Sequence, residues 1–563
     1  MKANTICSIS KLLVLLCGLL LACANPTALP TPAAVTLAPR TSSATSEGQT
    51  TPPHVVATST SAHTPPTHTP VAHATAYGTV ATPFPATPFP PPAAFTPTAN
   101  VSLRVDGATR YQTFSGFGAT FAPFNRPGNK LDDPNAPAFV SVTDAQRDAL
   151  IQIWFRELGL TRTRLFPDSY EPVNDNADPF DMNPAGYDWS MVNQVTDFAR
   201  LARSAGLQTY WASFSMDLGD KQAWLRLPDS CSLDPQKLDE DVEWVLAAAL
   251  RFREQGVELP YLTVNNEPDL PECKNRVKIE LADYLTLVKR LGARMRDAGL
   301  QTKLVISDGW LPENVVRYAQ AVLADPDARQ YVGALAYHAY ADGYDDPGRI
   351  LENSAASKPP HTALQPRAQI RELAARYNLP IWMTEICYCA PRSHEFSEFE
   401  LLRARLNHLH DELTIGNVAA FDAINLYNIR RPGVYDELIE VFYRPDGTIE
   451  RYPVSTYGAL LGQYARAILP GAVRVQAESS DPRVRIVAFQ RPDGKPVVVV
   501  LNNNSFAVQA TLNFANVNPL PRVLVGVTSR EGAIGESLGE IALDGANAAV
   551  ILPPRSVTTL VGE

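Results

Sequence analysis

The chain has 563 residues, of which 45% are hydrophobic and 19% are charged, so it is long enough to bury a large core. Its formal net charge at pH 7 is −10. Because an acidic surface repels phosphate backbones, the charge argues against nucleic acid as a partner.

The first 23 residues have the features of an export signal. Two lysines, Lys2 and Lys11, precede an apolar run from Leu12 to Ala22. This run is shorter than the roughly 20 apolar residues that span a bilayer. It closes with Leu-Leu-Ala-Cys23, which resembles a bacterial lipobox. We therefore expect lipidation of Cys23 and an extracellular, cell-surface lipoprotein anchored in the bacterial membrane; the alternative is a plain signal peptide.

Residues 24–100 are rich in Pro, Thr, Ala and Ser, and only Arg40 and Glu47 are charged in this stretch. Such a composition cannot bury a core, so it predicts a disordered, solvated tether. In polyproline form, at roughly 3.1 Å per residue, the tether would reach on the order of 200 Å.

From residue 113 to residue 468, short apolar runs alternate with amphipathic stretches. This alternation predicts parallel βα units of the α/β class, and eight of them suit a (β/α)8 TIM barrel. An open doubly wound sheet is the alternative, but no glycine-rich phosphate fingerprint follows the first strand. The predicted strands are 114–121, 161–166, 208–215, 261–266, 303–308, 333–339, 381–385 and 421–427, and predicted helices include 144–158, 237–255, 279–298 and 398–413.

After residue 468 the pattern changes to short alternating strands separated by turns. Residues 484–489 and 497–502 flank the turn signal Pro492-Asp493-Gly494. Residues 469–563 are therefore predicted to form an antiparallel β-sandwich. The alternating segment 101–112, which precedes the barrel, is a candidate to join it.

Four cysteines remain after the signal and Cys23 are set aside, and an even number in an exported chain permits disulfides. We expect Cys231 to pair with Cys273, because both follow strands predicted to be neighbours. Cys387 and Cys389 are poorly placed to bond each other on a strand. Since no His/Cys cluster accompanies them, neither a metal nor another cofactor is expected.

Two glutamates end predicted barrel strands, where the active sites of such barrels lie. Glu267 ends Tyr-Leu-Thr-Val-Asn-Asn-Glu on the fourth strand, and Glu385 ends Ile-Trp-Met-Thr-Glu on the seventh. Glycoside hydrolysis needs a proton donor for the leaving oxygen and an anion for the oxocarbenium-like centre. Strands four and seven face each other across the mouth, so a separation of about 5–5.5 Å and retention of configuration are predicted. Either glutamate alone is equally typical of a salt bridge or a helix cap.

The Asn-Glu-Pro and Trp-Met-Thr-Glu signatures resemble those of the retaining clan A glycoside hydrolases, and three further stretches resemble glycoside hydrolase family 30. These stretches are Tyr111-Gln-Thr-Phe-Ser-Gly-Phe-Gly118, Tyr337-His-Ala-Tyr340, and Tyr457-Gly-Ala-Leu-Leu-Gly-Gln-Tyr464 with its continuation to residue 475. The resemblance covers residues 101–563 and implies that the N-terminal strand pairs with the sandwich.

The resemblance also implies roles for individual residues. Glu267 would be the acid/base and Glu385 the nucleophile, and Asn266 would contact the sugar 2-hydroxyl. Arg164 would orient the nucleophile through a charge-assisted hydrogen bond. His338 and Tyr340 match the family's pair on the sixth strand, close to the nucleophile.

The sequence leaves the sugar open. Trp211, Trp224, Trp310 and Tyr427 are candidate stacking platforms, because an aromatic face suits the apolar face of a pyranose. Residues 429–435, Ile-Arg-Arg-Pro-Gly-Val-Tyr, are similar to the loop by which glucuronoxylan-specific family members hold an acidic side group. Arg431 and Tyr435 would bind that carboxylate. The alternative is that Arg430 and Arg431 form only loop salt bridges with Asp436 or Glu437.

The best hypothesis is a (glucurono)xylan endo-hydrolase that acts as a monomer on a plant or microbial β-glycan. A β-glucan or β-galactan hydrolase and a glucosylceramidase-like enzyme are alternatives within the same reaction class. A catalytically inactive carbohydrate-binding lipoprotein is the alternative of another class, and a metal-dependent hydrolase is disfavoured because no metal-ligand spacing is present.

Overall fold

A computed structural model of the chain describes residues 94–121, 123–124, 126–127, 139–167, 171, 173–214, 223–228, 230–270, 277–340, 342–344, 346–356, 361–388, 395–430 and 433–563. The predicted signal with Cys23 and most of the predicted tether lie outside these residues. Within them, no helix combines the length and the apolar character that crossing a membrane requires.

Eight parallel strands close into a barrel, which confirms the predicted fold class. Closure occurs where the eighth strand pairs with the first, with Phe421 opposite Phe117. The barrel strands are Gly116–Phe121, Arg162–Leu165, Thr209–Ala212, Tyr261–Leu262, Lys303–Gly309, Val332–His338, Ile381–Glu385 and Ala420–Ala423. Since all eight run the same way, their carboxyl ends form one rim, and this rim carries the candidate active site.

Helices follow the strands and bury their apolar faces against the barrel. Two of them begin at capping boxes, in which the side chains of Thr143 and Ser397 accept from the backbone N–H three residues on. The predicted helices 144–158 and 398–413 each consist of an α-helix continued by a π-helical turn. The α-helices are Asp144–Gln152, Ser190–Ala205, Leu238–Glu254, Leu281–Asp297, Pro312–Ala324, Pro326–Arg329, Pro347–Ala356, His361–Tyr377, Glu398–Asp411 and Thr456–Ala467.

The eighth strand differs from its predicted bounds of 421–427. It ends at Ala423, and Asn425–Ile429 belongs to a separate three-stranded sheet with Glu437–Tyr443 and Ile449–Arg451. The continuous apolar run in this segment is compatible with one strand, so periodicity does not show the break. Tertiary packing decides it, because Tyr427 is buried against Phe124 and Trp154 beside the barrel.

A nine-stranded sheet forms the second part of the described structure. Strands near the two opposite edges of this sheet contribute to one hydrophobic core. Leu524 near one edge and Val550 at the other are both buried in it. The sheet therefore folds over a core of its own. Its strands are Ala99–Thr113, Val473–Ser479, Val484–Gln490, Pro496–Asn502, Val508–Ala515, Val523–Arg530, Ala533–Ala542, Asn547–Leu552 and Ser556–Gly562.

The N-terminal strand lies inside this sheet, between two C-terminal strands. It is antiparallel to Val473–Ser479 but parallel to Val508–Ala515, so the sheet is not antiparallel throughout. The chain then enters the barrel at Phe114, whose backbone N–H donates to the carbonyl of Ala472 (2.8 Å). This N-terminal strand ties the sheet to the first barrel strand.

Candidate active site

Glu267 and Glu385 meet at the rim of the barrel. Glu385 is the last residue of the seventh strand, and Glu267 follows the short fourth strand. One carboxylate oxygen of Glu267 and one of Glu385 lie within 4.8 Å of each other, and both residues are buried, with 1% and 5% of their surface exposed. This close approach suits a retaining site, in which the two carboxyl groups are about 5–5.5 Å apart, rather than an inverting one.

The backbone holds Glu267 in an uncommon conformation. Its φ is +48°, in the left-handed region that non-glycine residues rarely adopt. The backbone N–H of Glu267 donates to the carbonyl of Asp308 (3.0 Å), and Asp308 itself has a φ of +55°. Such backbone conformations cluster at functional sites, where surrounding contacts maintain them.

Arg164 links three parts of the site from the second strand. Its guanidinium donates to Glu385 Oε2, to Asn266 Oδ1 and to Asp308 Oδ2, the last at 2.7 Å. Burial alone would lower the pKa of Arg164, but the carboxylates of Asp308 and Glu385 outweigh burial and raise it. Arg164 therefore stays charged and holds the Glu385 carboxylate in one orientation.

Asp308, at the end of the fifth strand, is a site residue that the sequence interpretation missed. Besides Arg164, it accepts hydrogen bonds from Ser213 (2.9 Å) and Thr384 (2.7 Å). Burial raises the pKa of Asp308, but Arg164 and then His338 act more strongly in the other direction and hold it well below its ordinary range. Its position before Trp310, at a strand end, is the signal that could have found it.

His338 lies between Asp308 and Glu267. Its Nε2 is 3.1 Å from Asp308 Oδ1, and its Nδ1 is 2.6 Å from Glu267 Oε1. Because an ionised Asp308 can only accept, Nε2 must carry a proton. Nδ1 can then accept from a protonated Glu267 or, when it is protonated itself, donate to an ionised Glu267. His338 can therefore serve both charge states of Glu267 without moving.

Tyr340 approaches the other glutamate. Its hydroxyl donates to Glu385 Oε1 (3.0 Å), so each oxygen of the Glu385 carboxylate has a donor. His338 ends the sixth strand and Tyr340 follows it two residues later, and both face the site.

Three ligand atoms, one each from Glu267, His338 and Glu385, lie within 4.8 Å of one another and are the group nearest to a metal-binding geometry among the described residues. Both ring nitrogens of His338 are engaged, however, and the Arg164 guanidinium already neutralises Glu385. A cation bound here would have to displace the hydrogen bonds of the His338 ring and would be repelled by the Arg164 guanidinium. The donor set therefore fits paired carboxyl chemistry better than metal ligation.

Two of the predicted stacking platforms are wrong. Trp211 is fully buried inside the barrel, where its ring packs against Trp382 and its Nε1 lies 3.3 Å from Asp422 Oδ2. Tyr427 is 2% exposed, and its hydroxyl donates to the carbonyl of Pro123. Aromatic type and strand position do not reveal which face of the strand a ring occupies.

The other aromatic candidates keep part of their surface. Trp310, Trp224 and Tyr435 are half-buried. The backbone N–H of Trp310 donates to Asp269 Oδ1 (2.7 Å), which fixes the residue after the fifth strand. The indole of Trp224 donates to the carbonyl of Glu171 (3.0 Å).

The predicted carboxylate-binding loop, residues 429–435, is described only in part. Arg431 lies outside the described residues, so its proposed role stays a prediction. Arg430 pairs with Glu440 (3.5 Å) rather than with Asp436 or Glu437. Asp436 pairs instead with the buried Arg405. Arg430 therefore forms a loop salt bridge, with a partner that the sequence did not identify.

The disulfide prediction is tested only at one end. Cys231 and Cys387 are both disulfide-bonded. Cys273 and Cys389 lie outside the described residues, so the Cys231–Cys273 pairing stays a prediction.

Comparisons with known proteins bear on the family and the fold of the chain. Residues 471–560 match the family model described as the glycosyl hydrolase family 30 beta sandwich domain. The chain is 22% identical over 451 residues to putative glucosylceramidase 1 of Caenorhabditis elegans, covering 73% of this chain and 77% of that protein. It is 22% identical over 296 residues to glucuronoxylanase XynC of Bacillus subtilis (strain 168), covering 50% and 64%.

A solved structure shows the same fold. The glycoside hydrolase family 30 subfamily 8 xylanase Xyn30A of Clostridium acetobutylicum superposes with a TM-score of 0.59 at 18% identity, covering 82% of this chain and 99% of that one. The barrel, the sheet domain and the carboxyl pair thus define a retaining glycoside hydrolase. The chain resembles glycoside hydrolase family 30 in particular, as its sequence motifs predicted.

Proposed function

We propose that this enzyme hydrolyses a β-linked polysaccharide outside the cell by double displacement, with Glu385 as nucleophile and Glu267 as acid/base. The observation that carries the proposal is the approach of the two carboxyl groups to within 4.8 Å, each with its own hydrogen-bonding partners. Export is supported by the signal-like residues 1–23, with anchoring through Cys23.

In the first step, a Glu385 oxygen forms a bond to the anomeric carbon as the bond to the leaving oxygen breaks. Glu267 gives its proton to that oxygen, so the leaving sugar departs neutral. Arg164 and Tyr340 hold Glu385 in position for the attack. A His338 that is protonated on both nitrogens can donate from Nδ1 to Glu267 before and after Glu267 loses its own proton.

In the second step, Glu267 removes a proton from a water molecule, and the resulting oxygen attacks the same carbon. The bond to Glu385 breaks, and two inversions give net retention. Asn266 would assist both steps. Because its Oδ1 accepts from Arg164, its amide N–H groups are oriented to donate to the sugar 2-hydroxyl.

A xylan carrying glucuronate is the favoured substrate. The likeness to XynC and Xyn30A supports it, because both are named as xylan-degrading enzymes. Arg431 and Tyr435 remain the candidates for the acidic side group, whereas Arg430 is engaged by Glu440. The likeness to a putative glucosylceramidase keeps a glucosylceramide-type substrate as the second candidate.

The test is product analysis with a substrate panel of glucuronoxylan, neutral xylan, β-glucan, β-galactan and glucosylceramide. We expect acidic xylo-oligosaccharides from glucuronoxylan, with the β-anomer formed first in time-resolved NMR spectra. Glu385→Gln is the control and should give no products. Products from another member of the panel would replace the substrate assignment, and an initial α-anomer would overturn the double displacement.

A further inference from the structure

A second group of buried carboxylates lies apart from the residues that hold the nucleophile. It forms where the chain between the second barrel strand and helix Ser190–Ala205 meets the start of helix Leu238–Glu254. We call this group the acidic pocket, and its members are Glu171, Asn174, Asp175, Tyr187, Glu240 and Glu243.

The three glutamates of the acidic pocket are buried, and Asp175 is half-buried. Glu171 is 1% exposed, Glu243 2% and Glu240 8%. Two hydrogen bonds connect the group: Asn174 Nδ2 donates to Glu240 Oε1 (3.0 Å), and the backbone N–H of Asp175 donates to Glu171 Oε1 (3.0 Å). These bonds leave most of the acceptor capacity of the pocket unused.

Among the residues that the structure describes, five buried oxygen atoms of this pocket have no hydrogen-bond partner. Native proteins leave few buried polar atoms unsatisfied, and each such case calls for an explanation such as an ion. The atoms are Asn174 Oδ1, Asp175 Oδ1, Tyr187 Oη, Glu240 Oε2 and Glu243 Oε1.

Tyr187 adds a second kind of unpartnered group to the pocket, a buried phenol. The side chain is 6% exposed, and its hydroxyl is one of the five unpartnered oxygens. After burial, the charges that act most on this phenol are those of Glu171 and Glu243. A buried phenol that faces carboxylates would normally donate to one of them, so an oxygen left unpaired among them marks a position for a ligand.

Few positive charges among the described residues act on the pocket. Arg294 acts on Glu243, but its guanidinium donates to the carbonyl of Asp239 (3.3 Å) and lies over the ring of Phe180. Burial, followed by the repulsion from neighbouring carboxylates, raises the pKa of Glu171 to about 8. Buried carboxylates without compensation are costly, so Glu171 stays largely protonated near pH 7 until a cation displaces its proton.

We propose that the acidic pocket binds a hard divalent cation, with Ca²⁺ as the best match. Its donors are all oxygen atoms, from carboxylates, an amide and a phenol, and Ca²⁺ takes oxygen ligands in flexible geometries. In the described part of the chain, only Glu267, His338 and Glu385 form a set of three acidic or histidine side chains whose ligand atoms lie within 4.8 Å of one another. That set belongs to the active site and not to the acidic pocket. The carboxylates of the acidic pocket are spaced more widely than in that set, so no more than two of them reach one cation in this conformation.

The cation has a structural role in this proposal. Glu171 belongs to the loop after the second barrel strand, and its backbone carbonyl accepts from the indole of Trp224 (3.0 Å). Binding would fix the loop and, through this bond, the Trp224 ring. Neither catalytic carboxyl group is a ligand, so the effect falls on stability and not on the chemical step.

The test is thermal unfolding of the full chain, stripped with EDTA, dialysed, and titrated with Ca²⁺ or Mg²⁺. At about 1 mM Ca²⁺ we expect the Tm of the wild type to rise by roughly 2–5 °C, with a smaller rise for Mg²⁺. Glu243→Gln should abolish the rise and should unfold at a higher temperature than the wild type in EDTA, because one repelling charge is removed. The matched control is Glu254→Gln on the same helix, whose side chain is 64% exposed and which should respond like the wild type.

A second variant tests the same site if Glu243→Gln cannot be purified in folded form. If Glu243→Gln does not fold, Tyr187→Phe serves instead, and calorimetric titration should show about tenfold weaker Ca²⁺ binding than the wild type. A wild-type Tm that is unchanged by 10 mM Ca²⁺, or an equal Ca²⁺ response in Glu243→Gln, would overturn the proposal. Glycosidase activity is not the readout, so failure of the proposed function would leave this result unaffected.

Discussion

The sixth barrel strand separates two clusters built from the same residue types. His338 points to the rim, where it meets Asp308, Glu267 and the Arg164–Glu385 pair. The preceding residue, Tyr337, points outward into what we call the outer ion cluster. This cluster comprises Tyr337, Asp342, Arg367, His408 and Glu412.

The two clusters differ in whether their central glutamate keeps any exposed surface. Glu412 is fully buried, and Arg367, His408 and Tyr337 together bond both of its oxygens. At the rim, Glu385 is 5% exposed and lies beside the half-buried Tyr340. A carboxylate that is closed off on all sides contributes to stability, whereas one that keeps a face toward a cavity can react with a substrate.

The largest effect should come from Glu385→Gln. The amide can still accept from Arg164 or Tyr340 but cannot form the bond to the sugar, so kcat/KM should fall by roughly 10³–10⁶-fold. The Tm should change little. Steady-state kinetics and thermal unfolding measure the two quantities, and more than a tenth of wild-type activity would contradict the assignment.

Glu412→Gln should show the opposite behaviour. Removing Glu412 as a charged partner leaves Arg367 paired with Asp342, so the free energy of unfolding should fall by about 3 kcal/mol, the low end for a broken buried ion pair. At temperatures well below the Tm, kcat should stay near the wild-type value. Urea unfolding measures the first quantity. Arg200→Gln is the control, because it breaks only the exposed pair with Asp197 and should change little.

Acid unfolding checks the same cluster. Burial raises the pKa of Glu412, but Arg367 and His408 act against burial and hold it at about 2. A lowered folded-state pKa stabilises the protein above the unfolded value of about 4.5, and this stabilisation is lost as the pH falls toward about 2. Glu412→Gln should therefore lose less stability than the wild type over this interval. An identical pH dependence in both proteins would show that other carboxylates cause the acid unfolding.

Asp308→Asn should have an intermediate effect and would sharpen the comparison between the clusters. The neutral amide no longer balances Arg164 or fixes the proton on His338 Nε2, so we expect kcat to fall by roughly 10–100-fold. Because a negative charge near Glu267 is removed, its ionised form is favoured, and the alkaline limb of the pH–rate profile should move to lower pH. Asp342→Asn, in the outer ion cluster, should leave that limb in place. Equal movement in both variants would refute a positioning role for Asp308.

The sequence predicts the parts of this molecule that depend on regular alternation or on short motifs. The eight strands, the strand-end position of Glu267 and Glu385 and the family resemblance are of this kind. Asp308 has no motif of its own, and its role arises because four other strands bring Arg164, Ser213, His338 and Thr384 to it. The acidic pocket likewise joins two segments about 60 residues apart in the chain.

The aromatic residues show most directly what the sequence alone does not predict. Trp211 and Trp310 both lie at or beside strand ends, yet one ring is sealed inside the barrel and the other keeps solvent access. Side-chain direction alternates along a strand, so a shift of one residue exchanges the two environments. Neither the residue type nor the predicted strand bounds resolve that difference.

The smallest expected effect distinguishes Trp310 from Tyr427. If the half-buried Trp310 stacks on a sugar, Trp310→Ala should raise KM for the polysaccharide by about 5–30-fold, because such a contact contributes on the order of 1–2 kcal/mol. Hydrolysis of a small chromogenic glycoside that fills only the site beside Glu385 should be unaffected. Tyr427→Phe removes the hydroxyl that donates to the Pro123 carbonyl, so it should lower stability by about 1 kcal/mol and leave KM unchanged. A raised KM for Tyr427→Phe, or an unchanged one for Trp310→Ala, would show that exposure of the ring does not identify the sugar platform.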